Sequence, residues 1–274
     1  MERLTMSKLL LRNHAPDAAG RVHHVTPQSA GWEHVGFDLY RLDPGQTVSG
    51  SDPGRESCLV FVSGKGDAMA GREEWSGLGE RTSPFEDKRP YAIYVPQGAG
   101  WQVRATTALE LAVCTAPGHG GGLPVRLIRP EDVAASVRGA GSNTRHVFDI
   151  LPETKPADSL LVVEVVTPPG NWSSYPPHKH DLDDGTAETL LEETYYHRID
   201  PPQGFAFQRV YTDDRSLDEA MAVEDGDLVM VPRGYHPVGV AHGYTGYYLN
   251  VMAGPRRAWH FNTAPEHRWL MRAS

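Results

Sequence analysis

The feature that most constrains the fold is an internal repeat. Val95-Pro96-Gln97-Gly98 returns as Val231-Pro232-Arg233-Gly234, and each copy is followed at a similar distance by a strand-like run, Leu109–Cys114 and Tyr247–Met252. The same offset carries Glu56, just before the run Cys58–Ser63, onto Glu192, which lies beside Glu193 and the run Thr194–Ile199. Three features at one offset imply a tandem of two related units.

Each unit reads as β. Gly 28 and Pro 22 are spread along the 274 residues, and punctuation that dense breaks long helices and favours short strands joined by turns. Further runs rich in β-branched and aromatic residues are Tyr91–Val95, Leu160–Val166, Phe205–Thr212 and Asp227–Val231. The best helical windows are short, Pro130–Val137 and Ser216–Met221. Many short strands with few helices point to a sandwich or barrel.

Composition excludes several function classes. A formal charge of -9 and the lack of a basic stripe argue against nucleic acid, whose binding rests on Lys and Arg neutralising phosphates. The longest apolar stretches, such as residues 160–163, fall far below a membrane span, and the N-terminal leucine run is too short for a signal-peptide core. Cys58 and Cys114 are too few for a disulfide framework. The expectation is a cytoplasmic protein that meets neither membrane nor nucleic acid.

The chemistry concentrates in Pro176-Pro177-His178-Lys179-His180-Asp181. Residues i and i+2 of a strand share a face, so the two imidazoles converge on one point. Glu192 and Glu193 precede an aromatic strand, and His236 follows the Pro-Arg-Gly turn. An H-x-H pair alone is more often structural than ligating. Adding an acid and a third histidine makes a mixed N/O set that suits Zn, Mn, Fe or Ni and leaves coordination positions open. By the repeat, His236 maps onto Gly100, and His178 and His180 map onto Leu42 and Pro44, so the first unit lacks the set.

H-x-H, Glu, a glycine turn and His form the metal signature of the cupins. The chain resembles the bicupin 5-deoxyglucuronate isomerases of myo-inositol catabolism, kin of the 4-deoxy-5-ketouronate isomerases. The matching stretches are Arg138–Val147, Pro176–Asp181, Leu191–Arg198, Pro201–Thr212, Val231–Val238 and Asn250–Trp259, with a looser match in the first half. The resemblance implies an all-β bicupin of two tandem double-stranded β-helix (jelly-roll) barrels. Residues 1–117 would form a barrel without metal ligands, 118–145 a linker, and 146–274 the metal-binding barrel. It implies one divalent metal, Zn first, on His178, His180, Glu193 and His236. The repeat favours Glu192 over Glu193, and residues 181–192 form an insertion between His180 and the acid that is longer than the general cupin pattern allows. It also implies an aldose–ketose isomerisation of 5-deoxy-D-glucuronate to 2-deoxy-5-keto-D-gluconate, a small sugar acid as substrate, and, because exposed sheet edges pair, a homo-oligomer. The competing readings are a bicupin iron or manganese dioxygenase and a non-enzymatic sugar-binding protein.

Strand alternation supplies further candidates. If Glu193 faces the metal, Tyr195 and His197 share its side. Arg209 and Tyr211 share one side of the strand after Pro201-Pro202, and Arg209 is the first choice to grip a carboxylate, with Lys179 and Arg233 behind it. Lys179 sits between two inward histidines, which directs it outward. His23, His24, His119 and His242 are expected at exposed or turn positions. Trp75, Trp101 and Trp259 are expected in packing, with sugar stacking left open. Asp149 and Asp158 have no partner in the sequence reading.

Overall fold

The computed structural model describes residues 7–185 and 187–272. Two large antiparallel sheets dominate. One has six strands in the order Arg126–Ile128, Ala92–Val95, Arg55–Ser63, Leu109–Pro117, Gly36–Leu42, Arg21–Val25. The other has seven, Leu10–Leu11, Leu228–Val231, Glu192–Asp200, Thr245–Ala253, Leu161–Thr167, Arg145–Leu151, Ala134–Arg138. A four-stranded sheet completes each half: Thr47–Gly50, Trp101–Ala105, Gly66–Ala70 and Glu73–Leu78 in the first, Trp172–Ser173, Val238–Val240, Phe205–Tyr211 and Asp218–Glu224 in the second.

The central strands are buried on both faces, which is why they read as nearly unbroken apolar runs. In Arg55–Ser63, Leu59 and Phe61 fill the first barrel with Ile93, Val103 and Leu111. Cys58, Val60 and Val62 turn the other way and share one core with Val162, Tyr196, Leu249 and Val251 of the second half. The outer strands alternate instead: in Phe205–Tyr211, Ala206, Gln208 and Val210 are buried while Phe205, Phe207 and Arg209 are exposed. Each fully buried Leu, Val or Phe contributes roughly 1.5–3 kcal/mol, so this shared face fixes the halves to each other.

Polar contacts across that face are reciprocal. Glu56 accepts hydrogen bonds from the backbone N–H groups of Asp158, Ser159 and Leu160. Glu192, its repeat counterpart, accepts from those of Glu33, His34 and Val35 at 2.7, 2.7 and 3.0 Å. Buried Arg81 makes a two-point bond to Glu164, at 2.8 and 2.7 Å.

Several expectations change. Residues 118–145 are not a free linker: Arg126–Ile128 joins the first sheet and Ala134–Arg138 the second. Leu10–Leu11, from the first half of the chain, edges the second sheet. Both helical windows are strand or turn. Pro130–Asp132 is a single 3-10 turn, and Asp218–Glu224 pairs with Phe205–Tyr211, burying Met221 and Val223 at period two. Tertiary pairing overrides helix propensity there. The helices that form are short, the capped turn Pro27–Ala30 and the 3-10 segment Pro265–Arg272 among them. Among the described residues no helix is long and apolar enough to cross a membrane.

Candidate active site

The second barrel holds a polar cluster, whereas the core of the first is apolar, with Leu59, Phe61, Ile93 and Leu111 among its residues. His178 and Lys179 form a short strand paired with Asn262–Thr263. His178 and His180 lie on one side with ring centroids 5.5 Å apart. His236 is brought in by a tight turn at Gly234, where φ is +93° and a Cβ would lie 2.5 Å from the Tyr211 carbonyl oxygen, so the position requires glycine. One nitrogen of each ring can meet the corresponding nitrogens of the others within 4.8 Å.

Each ring is oriented through Nδ1. That atom lies 3.1 Å from the Pro176 carbonyl in His178, 3.1 Å from the His260 carbonyl in His180 and 2.9 Å from the Gly234 carbonyl in His236. A carbonyl only accepts, so Nδ1 carries the proton and Nε2 keeps its lone pair. Nε2 of His180 and of His236 are buried without a partner among the described residues, as is Oε1 of Glu193. Oε1 lies 3.4 Å from one and 3.6 Å from the other. Burial, together with the neighbouring imidazoles of His236 and His180, holds His178 well below its usual titration range, and burial lowers His180 as well. Neutral imidazoles with free Nε2 atoms beside an unpaired carboxylate oxygen form a donor set that fits a divalent cation.

Strand parity separates the two acids. Glu193, Tyr195 and His197 face the barrel interior, whereas Glu192 faces the first half and is saturated by its three backbone donors. A cavity of about 260 Å³ opens beside the cluster. Its walls include Tyr195, Tyr248, Asn250, Arg145, Arg138 and Trp259, and Glu193 is its one carboxylate among the lining residues. The exposed Phe261 ring covers His178 at 4.7 Å between centroids. Ser174, held at φ +48°, places its hydroxyl 3.2 Å from that of Tyr195 and 3.4 Å from that of Tyr248. Burial raises both phenols, Tyr195 well above its usual value, so both carry their protons at neutral pH.

The chain matches the KduI/IolB family over residues 9–270. It belongs to that family. The 5-deoxy-glucuronate isomerase of Geobacillus thermodenitrificans (strain NG80-2) is 55% identical over 97% of both chains. The one of Bacillus subtilis (strain 168) is 47% identical over 91% of this chain and 92% of its own. The solved structure of an IolB-like protein from Salmonella typhimurium LT2 superposes with a TM-score of 0.93 at 51% identity, over 97% of this chain and 100% of the other. The oxalate decarboxylase of Lactobacillus farciminis superposes at 0.66 with 13% identity, over 99% of this chain and 92% of its own, and bears on the fold alone. This KduI/IolB member is therefore a cupin-fold enzyme of the isomerase class.

Other expected site residues of this KduI/IolB chain lie elsewhere. Arg209 sits on the exposed side of its strand, with Nε and Nη2 bonded to Asp218 at 2.8 and 2.7 Å. The strand is one residue out of the phase assumed for it: Gln208 points inward and meets Nε2 of His197 at 2.9 Å. Tyr211 packs on Tyr235, 5.0 Å between centroids, outside the cavity. Lys179 points away from the histidines toward Asp213, and Arg233 reaches Ser216 at the surface. His23 is buried rather than exposed, 2.7 Å from the Gly226 carbonyl, while His24 is exposed beside Asp38. Asp158 accepts from the backbone of His119, and Asp149 pairs with Arg138. Trp101 packs in the first barrel, whereas Trp259 reaches the cavity. Arg145, Asn143 and Asn250 line that cavity without having been singled out. Asn250 could have been found as a lone amide in an otherwise apolar and aromatic strand, and the two arginines bracketing a glycine-rich turn marked the other wall.

Proposed function

We infer that the chain converts 5-deoxy-D-glucuronate to 2-deoxy-5-keto-D-gluconate, as a step of myo-inositol breakdown, with a divalent metal held by His178, His180, Glu193 and His236. The name carried by the curated relatives supports the reaction. The observation that carries the metal dependence is the convergence of buried, unpartnered Nε2 and Oε1 atoms beside a cavity. Zinc is the first expectation for this N3O set, with Mn, Fe or Ni as alternatives.

The isomerisation moves one proton from C2 to C1 and another from the C2 hydroxyl to the C1 oxygen. A bound cation supplies Lewis acidity to the adjacent oxygens. The chain's own residues do the rest. Tyr195 holds a proton at its hydroxyl close to the histidine cluster, and Ser174 links it to Tyr248, giving a short run of hydroxyls that can hold and pass protons. Asn250 fixes the orientation of Glu193 with a bond to Oε2 at 3.0 Å. Phe261 and the aliphatic wall of Val147, Val163 and Val165 keep water from the reacting carbons. The protein is proposed to work in the cytoplasm as a homo-oligomer.

The test joins elemental analysis of the purified protein to an NMR assay with 5-deoxy-D-glucuronate. A metal-loaded preparation is expected to lose the aldehyde signal and gain the ketone, and chelation to stop the conversion. Full metal occupancy with no ketone formed overturns the reading.

A further inference from the structure

Lone pairs gather in the cavity wall at His178, His180, His236 and Glu193. The same cavity is lined by the guanidinium of Arg145, near enough for its charge to act on His178.

Arg145 differs from the other shielded arginines. Arg81, Arg41 and Arg198 meet Glu164 or Glu110. Arg55 and Arg257 have no carboxylate within ion-pair distance among the described residues, but their forks are filled by backbone carbonyls: His34 and Thr115 for one, Leu160, Pro152 and Glu153 for the other. Arg145 is half-buried, yet its side chain makes one hydrogen bond, from Nη1 to the Asn143 carbonyl at 3.0 Å, and no carboxylate lies within ion-pair distance among the described residues. The charged group in the wall that acts on it is another cation, Arg138, which is partly neutralised by Asp149 at 3.4 Å. A shielded cation without a counter-charge is costly, and an incoming anion relieves that cost.

The loop that carries it is built for the purpose. At Gly139 φ is +75°, and a Cβ there would stand 2.2 Å from the Asn143 carbonyl oxygen and 2.7 Å from Nη1 of Arg145. The turn is tied down by Asn171 Nδ2, which donates to the Gly141 and Thr144 carbonyls, and by Asn143 Nδ2, which donates to that of Tyr175. This leaves Asn143 Oδ1 buried without a partner among the described residues, and Trp259 Nε1 is in the same condition in the same wall. One acceptor and one donor, both unsatisfied, suit the hydroxyls of a polyol.

We propose that Arg145 is the carboxylate anchor of the cavity, and that the sugar acid lies with its carboxylate at the loop 139–145, its middle hydroxyls against Asn143 and Trp259, and its reacting carbons at the histidine cluster. The orientation rests on the isomerase reading, because the reacting carbons C1 and C2 stand at the opposite end of that substrate from its carboxylate. The reverse orientation, carboxylate on the metal, leaves Arg145 unpaired.

The test compares two substrates and two inert probes on metal-loaded protein. The substrates are 5-deoxy-D-glucuronate and its analogue with the carboxylate reduced to a primary alcohol. Arg145→Met is expected to lower kcat/KM for the acid about 30- to 100-fold, the loss of a charged two-point hydrogen bond, and to change that for the alcohol by less than about threefold. Metal content and melting temperature stay at the wild-type level. Equal losses on both substrates, or none on the acid, overturn the proposal. If the Met variant loses its fold, Arg145→Lys carries the same comparison with a smaller acid-selective loss, because a point charge replaces a fork. The inert probes are the polyols made by reducing the aldehyde of each substrate, with binding read by calorimetry. Tighter binding of the acidic polyol to wild type, abolished in the variant, is the expected result, and equal affinity for the two polyols overturns the proposal. Because the polyols cannot isomerise, wild-type protein inert toward both substrates would remove the isomerase reading while this measurement still decided the anchor.

Discussion

Asn250 donates to Oε2 of Glu193 at 3.0 Å, which leaves Oε1 as the oxygen that faces Nε2 of His180 and His236. The amide thus selects which oxygen of the carboxylate stays free. Asn250→Leu should keep the fold and weaken metal affinity about 10- to 100-fold, the usual cost of losing a residue that orients a ligand. A competition titration against a chelator of known affinity measures it.

Glu192 and Glu193 are neighbours with separable tasks. Glu192→Ala strands the N–H groups of residues 33–35 and should cost about 3 kcal/mol of stability with metal affinity kept. Glu193→Gln should abolish tight metal binding and leave the melting of metal-free protein within a few degrees of wild type. Paired denaturation and elemental analysis of both variants decide the matter; a Glu192 variant that lost its metal would contradict the assignment.

Burial pushes His197 down from 6.5 to about 4. Between those values the unfolded chain holds the proton and the folded one does not. Stability should therefore fall as pH drops from about 6.5 to about 4, by up to about 3 kcal/mol from this residue, and should not depend on it at higher pH. Melting curves of metal-free protein across that range should flatten in His197→Gln.

The Arg81–Glu164 pair bridges the halves with both side chains buried. Glu164→Gln leaves a buried guanidinium without its counter-charge and should cost about 3–5 kcal/mol. The double change Arg81→Met with Glu164→Leu should cost less than the single one. A double-mutant cycle in denaturant reads the difference.

How far the site could be read from sequence follows strand geometry. His178 and His180 were legible because period two is local: two residues apart on a strand means one side. Glu192 against Glu193 was not, since adjacent residues face opposite ways and the deciding fact is which face of the strand meets the other half. The same limit misled the reading of Arg209. Its strand carries Phe205 and Phe207, which look inward by chemistry yet are exposed, while polar Gln208 points in to meet His197. Arg145 escaped notice because its role comes from what is missing around it, and a sequence does not display a missing partner. The tandem β architecture was legible in the repeat; the two short strands within 118–145, Arg126–Ile128 beside Ala92–Val95 and Ala134–Arg138 beside Arg145–Leu151, were not, because neither carries the alternating apolar pattern of a strand.

Leu10 and Leu11 lie against Val229 and Leu228 as the outermost strand of the second sheet. A ribosome releases the leucines more than two hundred residues before their partner strand, at about 5–20 residues per second. For on the order of ten seconds or more the emerging polypeptide must carry these two leucines without their partner strand, and the nascent chain is open to chaperones and to misassociation during that wait.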